Sequence, residues 1–334
     1  MDGMDRVEML PAIPLSAWAG TKETLHRYLQ VIGKIRLAAS QRRNHWWNVP
    51  LHLTGRGITS RPMGQVDGNT IFTIDVDLVS HELDVHRIDG ERVTFPLAGG
   101  SVASFYAHLT RALRDLDITV RLDHPHPFDL ADSGRPFAED TEHAAYDPAM
   151  ALRYWQTLSQ VFLLLEEFAA GFSGKVSPVH HFWHTFDVAH TRFRDRAVEP
   201  APGTDPVTRE AYSRELISSG FWFGDETLPE PAFYSYTSPE PPGLAETRLH
   251  PSGARWMERG GSHLAVLPLS ALTDGSAAQR RSAILAFLGD AYQAGAVLAG
   301  WDIERYASPG GVTDPELLPA RVTQGAAGGA GPSR

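Results

Sequence analysis

Residues 177–193 read SPVHHFWHTFDVAHTRF, and their conformation decides the architecture of the second half of the chain. The aromatic and β-branched content suits a strand. Against that, Val179, Phe182, Phe186, Ala189 and Phe193 recur at i, i+3, i+7, i+10 and i+14 behind Ser177-Pro178, a pair that commonly opens a helix. Spacing favours the helix. On it, His180, His184 and Asp187 share the face opposite the phenylalanines, and a His pair at i, i+4 with a carboxylate is a candidate metal set for zinc or iron. Glu210 or Glu215 from the following segment are further candidate carboxylates. In a strand His180 and His184 would lie about 13 Å apart, and the shared metal would be lost. A polar helix face of hydrogen-bonded histidines is the plain alternative.

Upstream, Asp147-Pro148 reads as N-cap and first helical residue of a long helix reaching about Phe172, whose VFLLL stretch (161–165) suggests a central position. Downstream, Asp205-Pro206 opens a short helix ending at Gly220, Phe233–Tyr236 and Leu264–Leu267 read as strands, and Ala277–Leu298 makes a last helix. In the first half Thr21–Leu37 has helical spacing with Thr21 as a possible N-cap. From His45 to Leu97 the period falls to two, with turn chemistry at Asp67-Gly68 and Asp89-Gly90. Four antiparallel strands in a meander are expected there. Ser101 then caps a helix over Val102–Leu116, and Ile118–Leu122 reads as a strand. The expected fold is α+β: a flexible arm over 1–13, a lobe over 14–140 in the order α-β-β-β-β-α-β, a helix-rich α+β lobe over 141–305, and a Gly/Ala/Pro-rich tail over 306–334.

Composition narrows the chemistry. The 334 residues are 42% hydrophobic and 21% charged, with net charge −10, so a nucleic-acid backbone is not an expected partner. No apolar run approaches a membrane span and the start lacks a signal-peptide pattern, so a cytoplasmic protein without a membrane partner is expected. There is no cysteine, which excludes thiolate metal sites and a Cys nucleophile. No dinucleotide-binding, P-loop or nucleophile-elbow motif occurs. His81-Glu82-Leu83-Asp84-Val85-His86 has its second His one residue too far for a zinc-protease helix.

Only Lys22, Lys34 and Lys175 are lysine; the other 27 basic residues are arginine. A chain that drifts to arginine wherever a generic cation suffices keeps lysine where a compact ammonium is needed. Lys34 and Lys175 each follow a glycine, and Asn44 and Asn48, two of only three asparagines, bracket His45-Trp46-Trp47. For Gly33 and Gly174 the simpler reading is a helix-terminating glycine. His45, at the rim of the face shared with Trp47, Val49, Leu51 and Leu53, can serve as base or ligand. His26, one helical turn after Lys22, is grouped with it. The candidate catalytic set is therefore His26, Lys34, His45, Lys175, Glu210 and Glu215, with Trp46, Trp47, Trp183, Tyr234 and Tyr236 as candidate pocket walls.

Taken together, TKETLHRYLQVIGKIRL, NHWWNVPLHLTGRGIT, FTIDVDLVSHEL, EHAAYDP, FSGKVSPVHHFWHTFDVAHTRF, REAYSRELISSGFW and AFYSYTSPEPPG resemble the uncharacterised bacterial family catalogued as domain of unknown function 5996, over about residues 10–305. The resemblance places His26, Lys34, His45, Trp47, His143, Lys175, His180, Asp187, Arg192, Glu210 and Glu215 at the family's characteristic polar positions. It implies no activity. His181 and His184 depart from the family's pattern, which weakens a His180/His184 metal pair and shifts weight towards His26, His45 and His180 gathered from separate elements.

The expected function is an enzyme acting on a small molecule through a histidine/carboxylate centre, metal-dependent in the manner of a hydrolase or oxygenase. The rival is a non-catalytic small-molecule-binding protein whose Trp46, Trp47, Trp183 and Trp222 line an apolar pocket. A dimer interface built from these aromatics is the third reading, and the sequence leaves the oligomeric state open.

Overall fold

The computed structural model describes residues 8–68, 70–272 and 275–318. Its elements are α1 (Leu15–Ala39), β1 (His52–Leu53), β2 (Gly57–Thr59), β3 (Phe72–Asp77), β4 (Glu82–Arg87), β5 (Arg92–Pro96), α2 (Val102–Asp115), α3 (Pro148–Ala169), β6 (His180–Phe182), β7 (Asp187–Ala197), α4 (Pro206–Ala211), β8 (Arg214–Trp222), β9 (Ala232–Ser238), β10 (Arg255–Arg259), β11 (Ser262–Pro268), α5 (Ala277–Leu298) and α6 (Ile303–Tyr306). The fold is α+β with two antiparallel sheets. The first has the order β1-β2-β3-β4-β5, the expected meander with one more short strand; the second has the order β10-β11-β9-β8-β7-β6.

Helix boundaries follow local chemistry. Ser101 accepts from the Ser104 N–H at the start of α2, Asp147 from Ala149 and Met150 at α3, and Asp205 from Val207 and Thr208 at α4. Ser276 and Gln279 close a capping box on α5. Thr21 is not a cap: α1 starts at Leu15 and runs through Gly33, and the Thr21 hydroxyl donates to the Ala145 carbonyl at 2.7 Å. The buried run Thr24–Gly33 makes α1, rather than the VFLLL helix, the most enclosed element.

Residues 177–193 form a hairpin, not a helix. β6 pairs with β7 through His180↔Ala189, His181↔Val188 and Phe182↔Asp187, and the turn closes with Phe186 at φ 59°. Both faces of this hairpin are buried, so the alternation that marks a half-exposed strand is missing and the remaining apolar spacing mimics a helix. The helix expected from Asp205-Pro206 likewise stops at Ala211, and Arg214–Trp222 is β8, a central strand buried along most of its length. Ile118–Leu122 is an extended connector without ladder partners.

One buried core cluster holds Leu25, Leu29 and Ile32 of α1, Ile74 and Val85 of the first sheet, Leu158 and Val161 of α3, and Phe221, Phe233 and Phe287. Leu51 and His181 exchange both backbone hydrogen bonds, at 2.9 and 3.0 Å, so the edge of one sheet meets the edge of the other. Leu10 and Ile13, within the expected arm, are buried in the same core. At the other end Ser308 donates to the Ala170 carbonyl at 2.7 Å. The rest of the expected arm (1–7) and of the tail (319–334) lies outside the described residues.

Candidate functional site

The segment before β1 is folded tightly against α4. His45 and Trp46 both take left-handed backbone angles, φ 53° and 59°, a conformation that costs non-glycine residues energy and persists only when the surroundings hold it. The holding contacts are specific. The His45 backbone N–H donates to Glu210 Oε1 at 2.7 Å, its Nδ1 donates to the Ala211 carbonyl at 3.3 Å, and Trp46 Nε1 donates to the Val207 carbonyl at 3.0 Å. With Nδ1 carrying the proton, Nε2 is left as an acceptor. Lys175 Nζ donates to it at 2.8 Å.

Lys175 arrives there because residues 175–177 run beside β7, the Phe193 N–H donating to the Lys175 carbonyl at 2.9 Å. Gly174 is required by close approach: a Cβ there would stand 2.6 Å from the Phe172 ring and 2.9 Å from the Tyr306 ring. The lysine passes over Phe193 and Trp47, with Nζ 5.2 and 5.4 Å from their ring centroids. Its pKa is lowered, first by desolvation and then by Arg214, against the opposing pull of Asp195 and Glu210. His45 is held neutral by burial and by the Lys175 charge. Lys175 is nonetheless an exposed residue. Structure thus gathers three of the sequence candidates, His45, Lys175 and Glu210.

A family model covers residues 10–308 of the chain. The protein belongs to DUF5996, a family of unknown function. No curated protein and no solved structure matches it.

The other candidates of this DUF5996 chain lie elsewhere. The His180/His184/Asp187 set is corrected by the hairpin: His180 is on β6, His184 in the turn and Asp187 at the start of β7. Among the described residues no ligand-atom group of the kind a metal needs includes any of them. His180 instead faces His52 across the junction of the sheets, ring centroids 5.1 Å apart, and its buried Nδ1 has no hydrogen-bond partner. Burial and then the Arg61, Arg36 and Arg43 charges push its pKa down to about 3. Asp187 accepts from the Tyr234 hydroxyl and from Thr185, and burial raises its pKa. Gly220 makes that reach possible, since a Cβ there would stand 2.5 Å from the Tyr234 hydroxyl.

His26 is buried in the core, its Nε2 at 3.1 Å from the His184 carbonyl and 3.2 Å from Gln30, with a pKa near 3 from desolvation and the Lys22 charge. Lys34 is partly buried with a pKa lowered by desolvation. Glu215 is ion-paired to Arg194 and Arg196 at 3.1 and 3.2 Å. His26, His45 and His180 therefore have three separate sets of neighbours. The four-tryptophan pocket is also dispersed. Trp183 is packed on Gly33 in the core, Trp46 lies under the Arg42 guanidinium at 3.4 Å, and Trp222 sits beside Tyr234 on the other face of the second sheet from Phe221. Tyr236 shares that face and bonds Tyr212 at 3.0 Å.

Asp132, Asp140 and His143 were not singled out as ligands, yet their side-chain atoms lie within 4.8 Å of one another. Arg27 already fills the spot, donating to Asp132 at 2.7 and 3.1 Å and pairing with Asp140 at 3.6 Å, while His143 Nδ1 bonds Asp140 at 2.8 Å. Burial alone would raise the Asp132 pKa; the Arg27 hydrogen bonds win and lower it. This is an ion-pair network that ties α1 to the loop before α3. Asp132, Asp140 and His143 share one loop, but the Arg27 that joins them is on α1, which no local spacing shows.

Proposed function

We propose that the protein is a small-molecule enzyme whose reacting group is the Lys175 amine, with His45 as its proton partner and Glu210 fixing the His45 backbone. The observation that carries this reading is the 2.8 Å contact between Lys175 Nζ and His45 Nε2. An amine with a lowered pKa has a larger neutral, nucleophilic fraction at a given pH, and a carbonyl carbon is the substrate group that suits it. A neutral histidine in contact with the amine accepts or returns the proton as the nitrogen changes charge. Strained backbone at His45 and Trp46, maintained by Glu210, Ala211 and Val207, supports the same reading.

The chain's three lysines make a direct test. The protein is treated with glyoxylate and borohydride, and adducts at Lys22, Lys34 and Lys175 are quantified by peptide mass spectrometry. Reduction should mark Lys175 first, and His45→Gln should remove that preference while the circular dichroism spectrum is unchanged. Equal labelling of all three lysines, or preference for another, overturns the proposal.

A further inference from the structure

A cleft of about 340 Å³ opens between the end of α3, the middle of α5 and the 303–307 segment. It lies on the other face of β7 from the side chain of Phe193, so it is separate from the His45 and Lys175 pair, and nothing below depends on that pair. Phe168, Leu285 and Ile303 supply apolar wall, and Gly289 leaves a gap: a Cβ there would meet nothing within 4 Å. The volume is at the small end of ligand pockets, roughly 300–1,000 Å³.

Arg192 lines this cleft and is only 4% exposed. Its guanidinium is sandwiched between Phe168 and Tyr292, 3.9 and 4.3 Å from their centroids, and Nη2 donates to the Phe168 carbonyl at 2.6 Å. Nε is buried with no hydrogen-bond partner, and among the described residues no carboxylate pairs with Arg192. A buried cation without a counter-charge, in a cavity, is an arrangement that an anion completes. Glu167 also lines the cleft, engaged by Arg281 Nε at 2.9 Å. With Glu167 neutralised by Arg281, the Arg192 charge is the one left over, which suits a single negative charge and disfavours a dianion.

We propose that the cleft binds a small apolar carboxylic acid, its carboxylate pairing with the Arg192 guanidinium where that side chain lines the cleft and its hydrocarbon body lying against Phe168, Tyr292 and Leu285. Benzoate and phenylacetate are the probes, with benzamide as the neutral isostere, followed by ligand-observed NMR on the full chain. Saturable binding of an acid, weaker by about tenfold for benzamide, is expected. Gly289→Leu fills the gap on an α5 position that a larger side chain can occupy, and should weaken acid binding by about tenfold or more with a melting temperature no lower than the parent's. Arg192→Gln, if folded, should abolish the discrimination between benzoate and benzamide. Absence of saturable binding by either acid, equal binding of benzamide, or undiminished binding in Gly289→Leu overturns the proposal.

Discussion

Trp183 lies across Gly33. A Cβ at Gly33 would stand 2.1 Å from Trp183 Cδ2, and the indole is pinned because its Nε1 donates to the Val49 carbonyl at 3.1 Å. Gly33 thus sits mid-helix to admit a ring, not to end the helix. Gly33→Ala gains about 0.5–1 kcal/mol of helix propensity but overpacks the core, at a cost of about 1–3 kcal/mol or more. A net loss of stability is expected in urea denaturation; a variant as stable as the parent would show that Trp183 has room to shift.

Acid should unfold the protein steeply. His26, His52, His180, His181 and His190 are each pushed down to about 3 from the ordinary 6.5, chiefly by burial. A lowered folded pKa means that the unfolded chain binds the extra proton. Stability is therefore complete above about pH 6.5 and falls as the pH drops towards 3, by about 1.4 kcal/mol per pH unit for each such histidine. Urea midpoints at pH 7.5 and 5.5 measure the slope. A flat profile between them would contradict the burial of these rings as neutral groups.

The surroundings of Lys175 set the sign of two substitutions. Glu210 raises its pKa and Arg214 lowers it, so Glu210→Gln should move the titration further down and Arg214→Gln should move it up. NMR of the reductively methylated lysines follows all three amines separately. Shifts in the opposite directions would mean that Lys175 answers to other charges.

Tyr234→Phe removes the hydroxyl that donates to the buried carboxylate of Asp187. The carboxylate keeps Thr185 and loses a partner in a desolvated site, which costs about 1–3 kcal/mol. A denaturant midpoint unchanged by the substitution would show that water replaces the phenol.

Much of the fold is written locally. Ser101, Asp147-Pro148, Asp205-Pro206 and Ser276 begin helices by chemistry confined to three or four residues, and alternation from Ile71 to Phe95 marks strands whose other face is more open. The stretch 177–193 hides its period because both faces are buried, so the helical spacing of its aromatics has no structural counterpart. Of the candidate site, one contact was legible. The scarcity of lysine and asparagine pointed to Lys175 and to the residues around His45, which meet. That His180 would face His52 instead of His184 depends on long-range pairing of β6 with the residues around β1, which no local pattern contains. Arg192 was visible only as a family position; its cleft is formed by α3 and α5, far away in sequence.

The Leu51 and His181 pair has a consequence for how the chain can be divided. A cut near residue 140 would strip the partner from two strand edges at once, one on each fragment, and leave N–H and C=O groups free to pair with other chains. It would also open the shared core, where α1 packs against α3. Expressed alone, each half should self-associate, and mixing the two should restore solubility by returning each edge to its original neighbour.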